Sequence, residues 1–199
     1  MPGASGGEEE ELDAWGWWTK TPSGEYHGLE DGLSRIAETM RKEGPIDGVI
    51  GFSQGAAATV LVASLLEPGR ESTFSALQTK GGIPFPASFS HLGQSQPPLK
   101  FAICYSGFYA PFEGYRGFYD PRITTPTLHV IGSCDTVVEE GRSLALLKAC
   151  EKGKEVYHPG GHFVPVGKEM AGVVMSFIKE CCVDPVMEVG DVRDMDVPF

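Results

Sequence analysis

Apolar positions alternate between two rhythms along the chain. Over residues 29–42, Leu29, Leu33, Ile36 and Met40 recur at helical spacing, and Gly44-Pro45 ends the run. Residues 46–52 (IDGVIGF) form a short apolar run with strand character. Residues 54–66 then read as an Ala- and Leu-rich helix stopped by Pro68-Gly69. The second half repeats this order. It has strands at 99–105, 127–131 and 154–158, and helices over 138–150 and 168–182. The strand runs lack period-2 alternation, which predicts burial on both faces, as in a parallel sheet. The expected class is α/β, with right-handed crossovers.

Two stretches resist this rhythm. Residues 48–66 carry no charge, long enough to raise a membrane span. Gly48, Gly51, Ser53, Gln54, Gly55, Thr59 and Ser64 interrupt them, so a buried strand followed by a buried helix is expected instead. Residues 68–98 are polar and rich in Gly, Pro and Ser, with scattered Phe74, Leu77, Phe85 and Phe89. They read as one long loop: a lid, a binding loop or a disordered stretch.

The length of 199 residues suits one domain. The expected division is an acidic leader over 1–12, the domain over 13–182 and an acidic tail over 183–199. All three Trp lie within Trp15–Trp18 and should pack on something. The net charge of −11 leaves no electrostatic footprint for nucleic acid or an anionic membrane. Acid at the N-terminus does not fit a secretory signal. Five cysteines without paired metal spacing argue against a disulfide framework and a zinc site. They point to a reducing compartment, cytoplasmic or nuclear.

The sharpest chemical signal is Gly51-Phe52-Ser53-Gln54-Gly55, a G-x-S-x-G between an expected strand and an expected helix. Such a turn strains the Ser backbone and lifts its Oγ above the sheet, and the flanking glycines remove Cβ atoms that would collide. A Ser hydroxyl needs a base to take its proton. His162 follows Pro159-Gly160-Gly161 beyond the last strand and is the expected base. His158 ends that strand as a neighbour or decoy. His129 belongs to a buried strand, while His27 and His91 should face solvent. The base in turn needs a carboxylate. Asp135 stands just past the strand 127–131, on the rim where Ser53 and His162 also fall. Asp120, Glu139 and Glu140 compete with it and read as solvated surface charges. Asp47 sits at the wrong rim. Cys134 reads as a small buried hydrophobe.

With these residues in hand, the chain resembles the FSH group of serine hydrolases, fungal and other eukaryotic α/β-hydrolases related to the ovarian-cancer-associated hydrolase. Gly44–Ala58 (GPIDGVIGFSQGAAA) is similar to that family's elbow. Gly132–Val138 resembles its acid loop and His158–Pro165 (HPGGHFVP) its histidine loop. Acyl-protein thioesterases share the GFSQG pattern but resemble the histidine loop less. The likeness runs from about Trp15 to Ile178. It implies an α/β-hydrolase fold with Ser53 as nucleophile, Asp135 as acid and His162 as base.

It also implies a strand and a His-Gly-type loop near the N-terminus that supply an oxyanion donor, and nothing in this chain matches them. The expectation is a shortened fold lacking the front strands, with the Gln54 amide as the remaining donor and the strand 46–52 as a hydrophobic edge. That would mark a shortened gene model or isoform, or a partner covering the edge. The expected activity is hydrolysis of a small-molecule carboxylic ester or thioester through an acyl-enzyme on Ser53, with no metal or organic cofactor. Two alternatives stand beside it: a catalytically impaired binding protein, and a thioesterase releasing a carrier-bound or protein-bound acyl chain.

Overall fold

A computed structural model describes residues 16–183. The acidic leader over 1–12 and the tail from Asp184 lie outside the described residues, as does Trp15.

A small antiparallel hairpin comes first, β1 (Thr19–Lys20) with β2 (Tyr26–His27). Helix α1 (Leu29–Glu43) follows, burying Leu29, Leu33, Ala37 and Met40 along one face. Next come β3 (Gly48–Phe52) and α2 (Gln54–Leu65). The uncharged stretch 48–66 is therefore a strand and a helix. Among the described residues, no helix is long and apolar enough to cross a membrane. Every residue of α2 from Ala56 to Leu65 is buried, which explains its lack of a polar face.

Residues 68–98 are not one loop. They contain α3 (Arg70–Gln78) and two single 3-10 turns, at Ala87–Phe89 and Leu92–Gln94. Phe74 anchors α3, its ring edge-on to Phe85 at 5.4 Å and to Phe118 at 4.9 Å. The second half adds β4 (Phe101–Tyr105), α4 (Arg116–Tyr119), β5 (Thr127–Gly132), α5 (Glu140–Lys148), β6 (Gly153–His158) and α6 (Lys168–Cys182).

The main sheet has the order β3-β4-β5-β6, with every pairing parallel. Burial on both faces holds for β4 and β5 only. The outer strands β3 and β6 are partly exposed because each has one neighbour among the described residues. Met170 and Phe177 of α6 pack on Phe101, Ile103, Tyr105, Leu128 and Val130. On the opposite face, Ala102 and Cys104 join the larger core built from α1, α2 and Leu146 of α5. In β3, Ile50 pairs in register with Ile103 on the α6 face, but remains 53% exposed.

Candidate active site

Ser53 stands between β3 and α2 with φ 53° and ψ −118°. For a residue with a Cβ this is a strained backbone, costing about 1–3 kcal/mol. Neighbouring glycines make the turn possible. A Cβ on Gly51 would stand 2.3 Å from the Gly55 carbonyl oxygen and 2.5 Å from Thr59 Oγ1. The Ser53 N–H donates to the Tyr105 carbonyl (2.8 Å), tying the elbow to β4. Ala56 and Ala57 donate the first helical bonds, to the Ser53 carbonyl. The amides of Gln54 and Gly55 therefore open α2 at its positive end.

Three strand ends converge. His162 Nε2 lies 3.0 Å from Ser53 Oγ, and His162 Nδ1 lies 2.8 Å from Asp135 Oδ2. The Asp135 side chain is 2% exposed and that of His162 is 18%. Asp135 Oδ1 accepts from the Val137 (2.9 Å) and Val138 (2.8 Å) amides. Burial would push this carboxyl up. Hydrogen bonding from His162 and from the Val138 and Val137 amides, with the nearby Ser106 hydroxyl adding to it, outweighs burial and brings the pKa down to about 2. The Phe52 ring leans on the His162 imidazole, centroids 4.7 Å apart.

The acid and histidine loops lock together. Ser133 N–H donates to the His158 carbonyl and Cys134 N–H to the Gly160 carbonyl. A Cβ on Gly132 would stand 2.6 Å from the Gly161 oxygen, so only glycine lets the loops approach this closely. His158 is a buried neighbour whose Nδ1 accepts from the Gly160 amide at 3.3 Å. His129 is 1% exposed, its Nε2 3.0 Å from Thr127 Oγ1; burial pushes its pKa down to about 4. His27 and His91 face solvent. The competing carboxylates are also placed. Asp120 pairs with Arg116 at the surface, Glu140 accepts from the Tyr157 hydroxyl, and Glu139 is exposed. Cys134 is exposed, contrary to the buried position expected of it, because the acid loop turns outward after β5.

Two features were not legible from local patterning. The Gln54 side chain clamps the Trp segment: its Oε1 accepts from the Trp17 amide (2.6 Å), and its Nε2 donates to the Trp18 carbonyl (2.9 Å). Trp18 is buried and stacks on Tyr26 at 4.8 Å, whereas Trp17 is 39% exposed. A cavity of about 630 Å³ opens beside this clamp, lined by Trp17, Trp18, His27, Asp31 and Arg35 among others. The second feature is Ser106. The Ser106-Gly107 dipeptide reads as simple turn chemistry, yet its hydroxyl is buried beside Asp135.

The family model for serine hydrolase (FSH1) matches residues 2–174. The chain belongs to this family. Esterase OVCA2 of Danio rerio, another relative, is 30% identical over 178 residues, covering 84% of this chain and 68% of that protein. A protein of Schizosaccharomyces pombe named dihydrofolate reductase is 34% identical over 160 residues. That match takes in 80% of this chain but only 31% of that longer protein. The chain thus spans under a third of one curated relative and about two thirds of another. Among solved structures, acyl-protein thioesterase 2 of Zea mays superposes with a TM-score of 0.55 at 18% identity, covering 83% of this chain and 72% of that one. At that identity the likeness is one of fold, and the fold is that of the α/β-hydrolases.

Proposed function

We propose that this chain cleaves a carboxylic ester or thioester through an acyl-enzyme on Ser53. The observation that carries this reading is the hydrogen-bonded series Ser53 Oγ, His162 and Asp135 on a strained elbow. Ser53 attacks the carbonyl carbon as His162 Nε2 takes its proton. Asp135, accepting at Nδ1, keeps the base nitrogen turned toward Ser53 and stabilises the imidazolium. His162 returns the proton to the leaving group. A water deprotonated by His162 then hydrolyses the acyl-enzyme. The Gln54 amide, opening α2, donates to the oxyanion. The unit performing this chemistry is one domain over 13–182, and the unpaired cysteines support a cytoplasmic or nuclear setting.

A fluorophosphonate probe is expected to label Ser53 stoichiometrically, and Ser53→Ala to abolish labelling. Robust labelling of the Ala variant would refute the assignment. The outer edge of β3, unpaired among the described residues, favours one second reading, a catalytically impaired binding protein. Hydrolysis of p-nitrophenyl acetate no faster than by Ser53→Ala would decide for it. Matched ester and thioester substrates would separate a carboxylesterase from an acyl thioesterase.

A further inference from the structure

Ser53 and Ser106 are the two non-glycine residues with positive φ among the described residues. They end adjacent strands, β3 and β4. The strain at Ser53 serves the elbow, but Ser106 (φ 48°) leads into an irregular stretch rather than a helix. Both sides of it are held. Its N–H donates to the Val130 carbonyl (2.9 Å), and the Gly107 carbonyl accepts from Ser143 Oγ (2.7 Å). Glycine would occupy this backbone without strain. The residue is instead a serine, 2% exposed, whose hydroxyl has no hydrogen-bond partner of ordinary geometry. A buried hydroxyl left unpaired is itself unfavourable. Strain and desolvation thus fall on one side chain, and it stands at the rim where β5, bonded to Ser106 through Val130, ends at Gly132 and runs into the loop carrying Asp135. Its hydroxyl lies near enough to Asp135 to help lower that carboxyl's pKa.

We propose that Ser106 is a positioning residue: its hydroxyl donates to the Asp135 carboxylate while His162 holds the Ser53 proton, keeping that carboxylate aimed at His162 Nδ1. Val137 and Val138 fix Oδ1 from the acid loop, whereas Ser106 approaches from β4, a different element. The carboxylate is then braced from two directions. The proposal rests on the hydrolase reading above and adds a residue to it.

The test compares Ser106→Ala and Ser106→Gly with the wild-type chain. Three quantities are read: kcat and KM on p-nitrophenyl acetate, the thermal midpoint, and the far-downfield proton resonance of the His162 Nδ1–H bonded to Asp135. Both variants are expected to lose about 10–100-fold in kcat, the loss of one hydrogen bond to a charged group, with KM nearly unchanged. The resonance should shift or broaden in both. Ser106→Gly also relieves the strained φ, so it should unfold no earlier than wild type while losing the same kcat. A purely structural serine predicts the reverse, an altered midpoint with kcat and resonance intact, and that result overturns the proposal. Should Ser106→Ala fail to fold, Ser106→Gly decides alone. Wild-type turnover independent of Ser53 would sink the hydrolase reading separately. The resonance would still decide the Ser106 contact, moved in both variants if it exists and unchanged if it does not.

Discussion

Asp135 keeps its charge against its own burial, because a ring nitrogen and two amides converge on its oxygens. Its pKa of about 2 lies below the ordinary 3.8, so the carboxylate stabilises the fold fully above that ordinary value. The contribution is lost as pH falls from about 4 through about 2. Asp135→Asn, which cannot titrate, should therefore differ from wild type by a constant margin at neutral pH. That margin should close as the pH drops through this window, measured by chemical denaturation at successive pH values. A margin independent of pH would contradict the account. Ser53, Asp135 and His162 were legible in the sequence because each lies just past a run read as a strand, with glycine close by. Ser106 also follows such a run, but its significance lies in what its hydroxyl faces across the strand ends. No linear pattern encodes that. The Gln54 side chain is similar: its partners, Trp17 and Trp18, lie 37 and 36 residues away.

At the scale of elements, strands and amphipathic helices were readable and marginal helices were not. Helix α1 declared itself through Leu29, Leu33, Ile36 and Met40 at helical spacing, three of them buried and Ile36 partly so. Helix α3 (RESTFSALQ) buries only Arg70 and Phe74, so its sequence is indistinguishable from a polar loop. Tertiary contacts hold it: Phe74 sits between two rings, and Arg70 pairs with buried Glu67 and donates to the Pro121 carbonyl. Glu67 Oε1 in turn accepts from the Thr124 and Thr125 amides. Strand β3 presents the opposite case, an element whose pattern predicts more burial than it has. Helix α6 covers β4 and β5, leaving Ile50 53% and Phe52 37% exposed beside an edge of β3 that pairs with no other strand among the described residues. Such an edge is a template for association. The chain should self-associate as its concentration rises, and Ile50→Lys should keep it monomeric by light scattering without unfolding it. Equal association by wild type and variant would show that β3 is not the contact.

At the scale of the whole molecule, parallel pairing in sequential order sends β3, β4, β5 and β6 toward one rim. Ser53, Ser106, Asp135 and His162 all lie just beyond those strand ends. The alternation of strand and helix made that rim predictable, since the crevice of an open parallel sheet lies at its carboxyl edge. The short hairpin and the clamp that seats Trp17 and Trp18 over α2 were not predictable. They depend on where the first described residues lie in space, not on any period in their sequence. Trapping the intermediate shows whether this rim assembles a nucleophile. The chain is quenched in acid during turnover of p-nitrophenyl acetate, and its peptides are mapped by mass spectrometry. The account predicts one acetyl group on Ser53, formed no more slowly than the steady-state rate and absent in Ser53→Ala. Acetyl carried by Cys134 or another residue, with turnover surviving Ser53→Ala, would contradict it.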